Sequence, residues 1–349
     1  MIKATQNDAP ESCLTLLSRV RRPTPPRARK LAFEGVGDRD VYNIAAPFEM
    51  DGRQVIAGRV EHRDVEHSEI VFFGEANGAW QPIPSAATFP GLQDPCVTFI
   101  GGELVLGGVR FPVTVADGSI GWRMEFYRGT TLNNLLLFLT GPDKMKDVRL
   151  VELADERVGV LTRPQGAKGG RGKIGFLVTT SLETITAEAI QDAPLFRAQC
   201  LEEEWLGANE AHRLSNGLLG VLGHIAYFDP NEHRHYYPMV FCVNPRTGEA
   251  SPPEIIACRA DFPSGPAKRP DLVDVMFSGG LVRQGDGNAT LYAGLSDAEA
   301  GCILLPDPFA QFETVPAKHA GATPAHRKPQ GPTPSGPSGP NRLVSNSEP

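Results

Sequence analysis

No stretch of this 349-residue chain approaches the roughly 18 consecutive apolar residues that a membrane-spanning helix needs. The longest apolar stretches, residues 135–139 among them, are only strand-sized, so no membrane partner is expected. Close pairs of cysteine are also missing. Cys13, Cys96, Cys200, Cys242, Cys258 and Cys302 are scattered, which suits buried reduced thiols better than a disulfide framework or a zinc site. A secretory signal would need a longer apolar segment placed after its positive charge, whereas residues 13–17 are few and precede the arginines. A cytoplasmic location is therefore expected.

Positive charge is scarce in the body of the chain. Residues 1–30 carry +5 and residues 314–349 carry +3, so the formal charge of −7 leaves −15 for residues 31–313. So acidic a body argues against nucleic-acid binding, where phosphates demand clustered Lys and Arg. The exception is the basic, Pro-rich run from Arg19 to Lys30, read as part of a solvated N-terminal arm over residues 1–30. From Thr314 onward Pro, Gly and Ser dominate, and a disordered tail is expected.

Helical periodicity is nearly absent between residues 31 and 313. Apolar runs alternate instead with Gly, Pro, Asn and Asp, which predicts an all-β fold. The strands group into five units of roughly fifty residues, the spacing of four-stranded propeller blades. The expected strands of the first unit are 55–60, 69–73 and 80–83. Those of the second are 96–100, 103–108, 122–128 and 135–140; of the third, 148–153, 158–163, 173–179 and 184–189. The fourth carries 212–214, 218–228, 237–244 and 255–259, and the fifth 272–277, 280–284, 289–293 and 300–305. A five-bladed β-propeller follows, with the loops that feed the inner strands converging on a central funnel.

Polar residues crowd where those strands begin. Asp38, Arg39, Asp40 and Asn43 precede the run 55–58, which leads into Arg59, Glu61, Arg63, Asp64 and Glu66. Charges at the end of a buried strand are retained either as ion-pair networks or as a site. Comparable clusters are Gln93-Asp94-Pro95, Lys146-Asp147, Glu202 to Glu204 with Asn209, Glu210 and His212, and Asp274 followed by Tyr292 and Asp297. Two other motifs are discounted. Residues 166–173 lack the first glycine and the final Ser/Thr of a phosphate loop and read as a hairpin. His233-Arg-His235 has no third metal ligand and reads as a surface loop.

Asp40-Val-Tyr-Asn43, Ala57-Gly-Arg59-Val, Gln93-Asp94-Pro95-Cys96, Lys146-Asp147, Leu161-Thr-Arg163-Pro and Tyr292-Ala-Gly-Leu-Ser-Asp297 stand in an order and spacing that resemble the five-bladed propeller glycosidases and phosphorylases. The nearest likeness is to the mannoside phosphorylases, and the chain reads as a separate, functionally undefined branch of them. The resemblance implies a carbohydrate substrate, Asp94 as general acid, and Asn43, Arg59, Tyr292 and Asp297 as sugar ligands. Lys146 and Arg163 would face phosphate or a second sugar subsite. Gln93 and Cys96 depart from the family's Glu-Asp-Pro-Arg pattern beside the acid.

Glycoside cleavage needs a proton for the leaving oxygen and a nucleophile for the anomeric carbon. A phosphorylase would take inorganic phosphate as co-substrate, gathered by Arg59, Lys146, Arg163 and His224. A hydrolase would need a carboxylate base, for which Glu202, Glu204 and Glu210 are the candidates, and Glu61, Asp147, Asn209 and His212 are further substrate-binding candidates. The dense acidic loop tips the reading toward hydrolysis. No cofactor or metal is called for. The alternative is a non-catalytic propeller that binds a glycan or a protein through the same face.

Overall fold

Apolar runs broken at short intervals by turn-forming residues cannot sustain helices, and in the computed structural model of this protein, which describes residues 9–20 and 27–314, they form strands. After β1 (Ala28–Lys30), a first sheet contains β2 (Asp40–Tyr42), β3 (Phe48–Met50), β4 (Arg53–Glu61), β5 (Glu69–Ala76), β6 (Ala79–Pro82) and β7 (Phe89–Pro90). The second is an antiparallel meander of β8 (Leu92–Ile100), β9 (Glu103–Thr114), β10 (Ile120–Gly129) and β11 (Leu136–Thr140). The third holds β12 (Arg149–Glu152), β13 (Val158–Thr162) and β14 (Gly175–Thr179).

The remaining strands are β15 (Trp205–Arg213), β16 (Leu219–Phe228), β17 (Arg234–Val243), β18 (Glu254–Ile255), β19 (Asp274–Arg283), β20 (Asn288–Leu295) and β21 (Glu299–Pro306). Together with β1 they form one eight-stranded sheet. Its neighbours are antiparallel except β17 and β19, which meet in parallel at His235 opposite Asp274 and Tyr236 opposite Val275. Two meanders are thus joined at one short seam.

Burial links each sheet to the next. One apolar cluster joins the first and second sheets through Phe72, Leu92 and Leu106, and another joins the second and third through Phe126, Val148 and Val160. A third unites β13 and β14 with β15–β17, and a fourth packs β16 and β17 against β19–β21. The last returns from Ala300 of β21 to Val41, Ile56 and Phe73 of the first sheet. β8, β12, β15 and β19 touch around a common centre. Packing therefore closes on itself, with β8, β12, β15 and β19 on its inner side.

Several expected elements differ. The third unit's last strand, expected at 184–189, is replaced by a 3-10 turn (Leu182–Thr184) and a helix (Ala187–Asp192), because the Thr186 hydroxyl caps the helix by accepting the Ala189 N–H. The fifth unit's first two expected strands are one strand, β19, with a register break between Ser278 and Gly280. The innermost segment of the first sheet, β2 and β3 with residues 43–47 between them, went unread.

The N-terminal segment is not a solvated arm where it is described. Ser12 caps the helix Cys13–Leu17, and Cys13 and Leu16 are buried against the third and fourth sheets. Ala28–Lys30 pairs with β21, so the expected boundary at Lys30 falls at the end of a strand. Residues 21–26 of the basic run, and the tail expected to be disordered apart from Thr314, lie outside the described residues. All six cysteines are buried free thiols, as their spacing suggested. Among the described residues, no helix is long and apolar enough to cross a membrane.

Candidate active site

Around this centre the backbone turns left-handed at residues that carry side chains: Asn43 (φ 45°) after β2, Asp94 (φ 50°) in β8, Asp147 (φ 59°) before β12, and Ser296 (φ 54°) and Asp297 (φ 51°) in the turn between β20 and β21. Asn and Asp tolerate this region better than other side chains, yet holding each residue there still costs roughly 1–3 kcal/mol. Bulges accompany the turns. Register breaks between Gln93 and Cys96 in β8, and between Ala208 and Glu210 in β15, re-aim Asp94 and Asn209. Close backbone approach does the rest: a Cβ at Gly294 would lie 2.0 Å from Asn43 Oδ1, and one at Gly279 would lie 1.6 Å from the Ile44 carbonyl oxygen.

These distortions bring two polar groups together. In the first, Asp94 Oδ1 accepts from Asn43 Nδ2 at 2.8 Å and from Arg59 Nη1 at 3.0 Å. Arg59 Nη2 reaches Glu61 Oε2 at 3.0 Å, and the guanidinium lies over the Tyr42 ring. Glu61, fully buried, also accepts from the Tyr42 hydroxyl and from Lys268 Nζ. Burial alone would raise the Asp94 carboxyl, but Arg59, Lys146 and the Asn43 hydrogen bond outweigh it and hold it below the ordinary carboxylate range. Asp297 moves the other way. Burial raises it, the Asp94 charge adds to the effect, and Arg59, Lys268 and Lys146 oppose it only in part.

The second group centres on Asp147. Arg163 Nη1 lies 3.1 Å from its Oδ2, Arg149 Nη2 lies 3.8 Å from Oδ1, and His224 Nε2 lies 3.8 Å from Oδ2. Burial is outweighed by Arg163, His224, Lys146 and Arg149, and the carboxyl is held down to about 2. His224 is pushed down to about 3, by burial above all and by Arg163, Lys146 and Arg149, against the pull of Asp147. It is neutral at physiological pH and does not serve as the phosphate-gathering cation its position in sequence suggested. Its Nδ1 lies 2.9 Å from Asn209 Oδ1, which fixes the proton there and leaves Nε2 as an acceptor.

Lys146 stands between the two groups. Half-buried, it makes no hydrogen bond or ion pair among the described residues, although its charge acts on Asp94, Asp147, Asp297 and His224. Several buried polar atoms here also lack a hydrogen-bond partner: Asn43 Oδ1, Arg59 Nε, Gln93 Nε2 and Asn209 Nδ2. Buried polar atoms are nearly always satisfied in a folded protein. Such atoms, with the Lys146 ammonium, are of the kind that can hydrogen-bond a polyhydroxylated or anionic ligand.

Other sequence candidates fall elsewhere. Glu202 is exposed, and Glu204 is buried beneath the N-terminal helix, where it accepts the backbone N–H of Cys13 at 2.6 Å and of Leu201 at 3.2 Å. Glu210 accepts the Leu281 N–H and lies 2.8 Å from His212 Nε2, beside a cavity of about 230 Å³ also lined by Cys96 and Arg149. Among the described residues, no hydrogen bond or ion pair joins these three glutamates to Asp94 or Asp147, although Glu210 lines the same cavity as Arg149 and Asn209, with His212 beside it. Tyr292, partly buried, packs against the apolar cluster of the first sheet, where Cys302, Arg29 and Glu75 act on its hydroxyl. Cys96 lines the cavity, where burial raises its thiol and Arg149 opposes that.

Sequence reading missed the roles of Tyr42, Arg149, Ser278, whose Oγ donates to Asn209 Oδ1 at 3.1 Å, and Lys268. Tyr42 lies in the unread β2, Arg149 and Ser278 lie in or beside expected strands with nothing to set them apart, and Lys268 lies in a Pro- and Gly-rich connection that reads as a plain loop. Among the described residues, no cluster of His, Cys, Asp and Glu is arranged to hold a metal ion.

This chain is similar to two solved structures from Leishmania mexicana. One is MPT-4, a mannose phosphorylase in complex with a phosphate ion, at 34% identity over 85% of this chain and 92% of that one, with a TM-score of 0.76. The other is MPT-1, a GDP-Man-dependent mannosyltransferase, at 31% identity over 85% and 94% of the two chains, with a TM-score of 0.75. A β-1,2-mannobiose phosphorylase from Listeria innocua shares the fold at 12% identity over 84% and 94% of the chains, with a TM-score of 0.58. No curated protein sequence matches. Residues 21–311 match the family model described as a protein of unknown function, DUF1861, and the chain belongs to that family, a branch related to the mannoside phosphorylases.

Proposed function

We propose that this protein transfers a mannosyl group between phosphate and a sugar hydroxyl in the funnel of a five-bladed propeller. The observation that carries the reading is Lys146, a cation with no ion-pair partner among the described residues, placed between the Asp94–Arg59 pair and the Asp147–Arg163 pair and acting on both carboxylates. Phosphate needs convergent positive charge, and Lys146 is the cation not already committed to a carboxylate. The five-bladed count is supported by the seam between β17 and β19, which divides the eight-stranded sheet into two units, β1 completing the second.

Asp94 handles the proton. Ionised in the ligand-free protein, it takes the proton of the acceptor hydroxyl when a mannosyl phosphate is the donor; in the reverse direction the protonated form returns it to the departing oxygen. Asp297, whose carboxyl burial raises, hydrogen-bonds the sugar, with Asn43 completing its seat. His224 Nε2 accepts from a ligand hydroxyl. Hydrolysis is disfavoured because Glu204 and Glu210, its expected bases, are committed to other contacts and Glu202 points to solvent.

The test is incubation with manno-oligosaccharides with and without inorganic phosphate, and with mannose plus either mannose 1-phosphate or GDP-mannose, following products by NMR. Phosphate-dependent cleavage, and transfer from mannose 1-phosphate, support the reading. Transfer from GDP-mannose alone would replace phosphate by a nucleotide leaving group. Binding without turnover would leave a non-catalytic glycan receptor.

A further inference from the structure

Lys268 belongs to no strand, yet it is joined to both halves of the first polar group. Its backbone N–H donates to the Ser296 carbonyl at 2.9 Å, immediately before Asp297, at the pair of left-handed residues Ser296 and Asp297. Its side chain, 5% exposed, reaches across to the first sheet, where Nζ contacts Glu61 Oε1, Glu66 Oε1 at 3.2 Å, the Val65 carbonyl at 3.3 Å and the Tyr42 hydroxyl at 3.4 Å. Glu61 is wholly buried and shared between Lys268 and Arg59, and Arg59 in turn holds Asp94. A continuous chain thus runs from the connection before β19, through Glu61 and Arg59, to Asp94.

We propose that Lys268 is a positioning residue that ties Asp94 and Asp297 into one unit, fixing Arg59 against Asp94 through Glu61 while its backbone anchors the turn bearing Asp297. This inference rests on the mannosyl-transfer reading for its consequence in turnover, but its geometry stands apart from that reading. Without the ammonium, Glu61 would draw Arg59 toward itself as its sole remaining cation and loosen the hold on Asp94. The charges acting on Asp297 are Arg59, Asp94, Lys268 and Lys146, and Asp297 itself acts on Tyr42 and Arg269.

The experiment compares wild type with Lys268→Met and Lys268→Arg. The carboxyl titrations of Asp94 and Asp297 are read by carbon-detected NMR on labelled protein, alongside turnover across pH. For Lys268→Met, both carboxyl midpoints move upward, kcat falls about tenfold or more with KM little changed, and Lys268→Arg recovers most of the loss. Lys268→Gln, which keeps a donor for Glu61 and lacks the charge, gives the same readings if the methionine variant does not fold. Unmoved midpoints in a folded, uncharged variant overturn the proposal. If wild type turns over no mannoside, the transfer reading fails, and the titrations still decide the role of Lys268.

Discussion

Asp94 and Asp297 share a set of cations yet are displaced in opposite directions, the pattern by which one site keeps one carboxyl ionised and another available as a proton donor. Asp94→Asn should lower turnover by on the order of 10²- to 10⁴-fold while leaving the melting temperature nearly unchanged, since the amide can still meet Asn43. Arg59 is different in kind. Removing it strips two buried carboxylates, Glu61 and Asp94, of a partner, so Arg59→Met should destabilise the fold by about 3–5 kcal/mol in denaturant titration. His224 gives a pH signature. With its folded-state value near 3 and an unfolded value near 6.5, the unfolded chain binds the extra proton between these limits. Stability from this group is therefore complete above about pH 6.5 and lost as pH falls, with a slope of up to about 1.4 kcal/mol per pH unit. His224→Gln should flatten the melting temperature between pH 4 and 6.5, on the order of the window those values define.

At the scale of elements, the site depends on places where a strand misbehaves. Gly294 lets β20 lie against the Asn43 side chain, and Gly294→Ala would push a methyl group to 2.0 Å from Asn43 Oδ1. That variant should lose the hydrogen bond from Asn43 to Asp94, and activity should fall further than stability, measured by kcat against melting temperature. Glu204 shows the opposite balance. It anchors the helix Cys13–Leu17 by receiving two backbone N–H groups, so Glu204→Ala should cost about 1–3 kcal/mol in urea titration. Turnover at a temperature where the variant is folded should be unaffected. A large loss of kcat there would restore Glu204 as a catalytic candidate.

For the whole molecule, closure explains what the sequence could and could not disclose. The all-β character was legible because alternating apolar runs with Gly, Pro and Asn breaks report local backbone preference. Asp94, Asn43, Arg59, Asp147, Arg163 and Asp297 were legible from motif order, and their meeting at one centre follows from the closure of the packing around β8, β12, β15 and β19. The surroundings of Glu204 and Glu210 were not legible, because an acidic stretch looks the same whether it faces a site, supports a helix or lines a cavity. Direction is set by the bulge between Ala208 and Glu210, and a bulge leaves no mark in residue type there. Lys268 was invisible for a related reason: its partners lie more than two hundred positions away, on the sheet that closes the ring. The stretch read as a solvated arm likewise contributes β1 to the far end of the chain.

The most direct measurement is the initial rate of mannoside cleavage as inorganic phosphate is varied, for wild type and for Lys146→Met, with mannose 1-phosphate identified by phosphorus NMR. The account predicts a rate that saturates in phosphate, and a phosphate KM raised about tenfold or more in the variant, the loss expected for one charge-assisted contact. A rate of free mannose release indifferent to phosphate, or a Lys146→Met enzyme that uses phosphate as well as wild type, would contradict it.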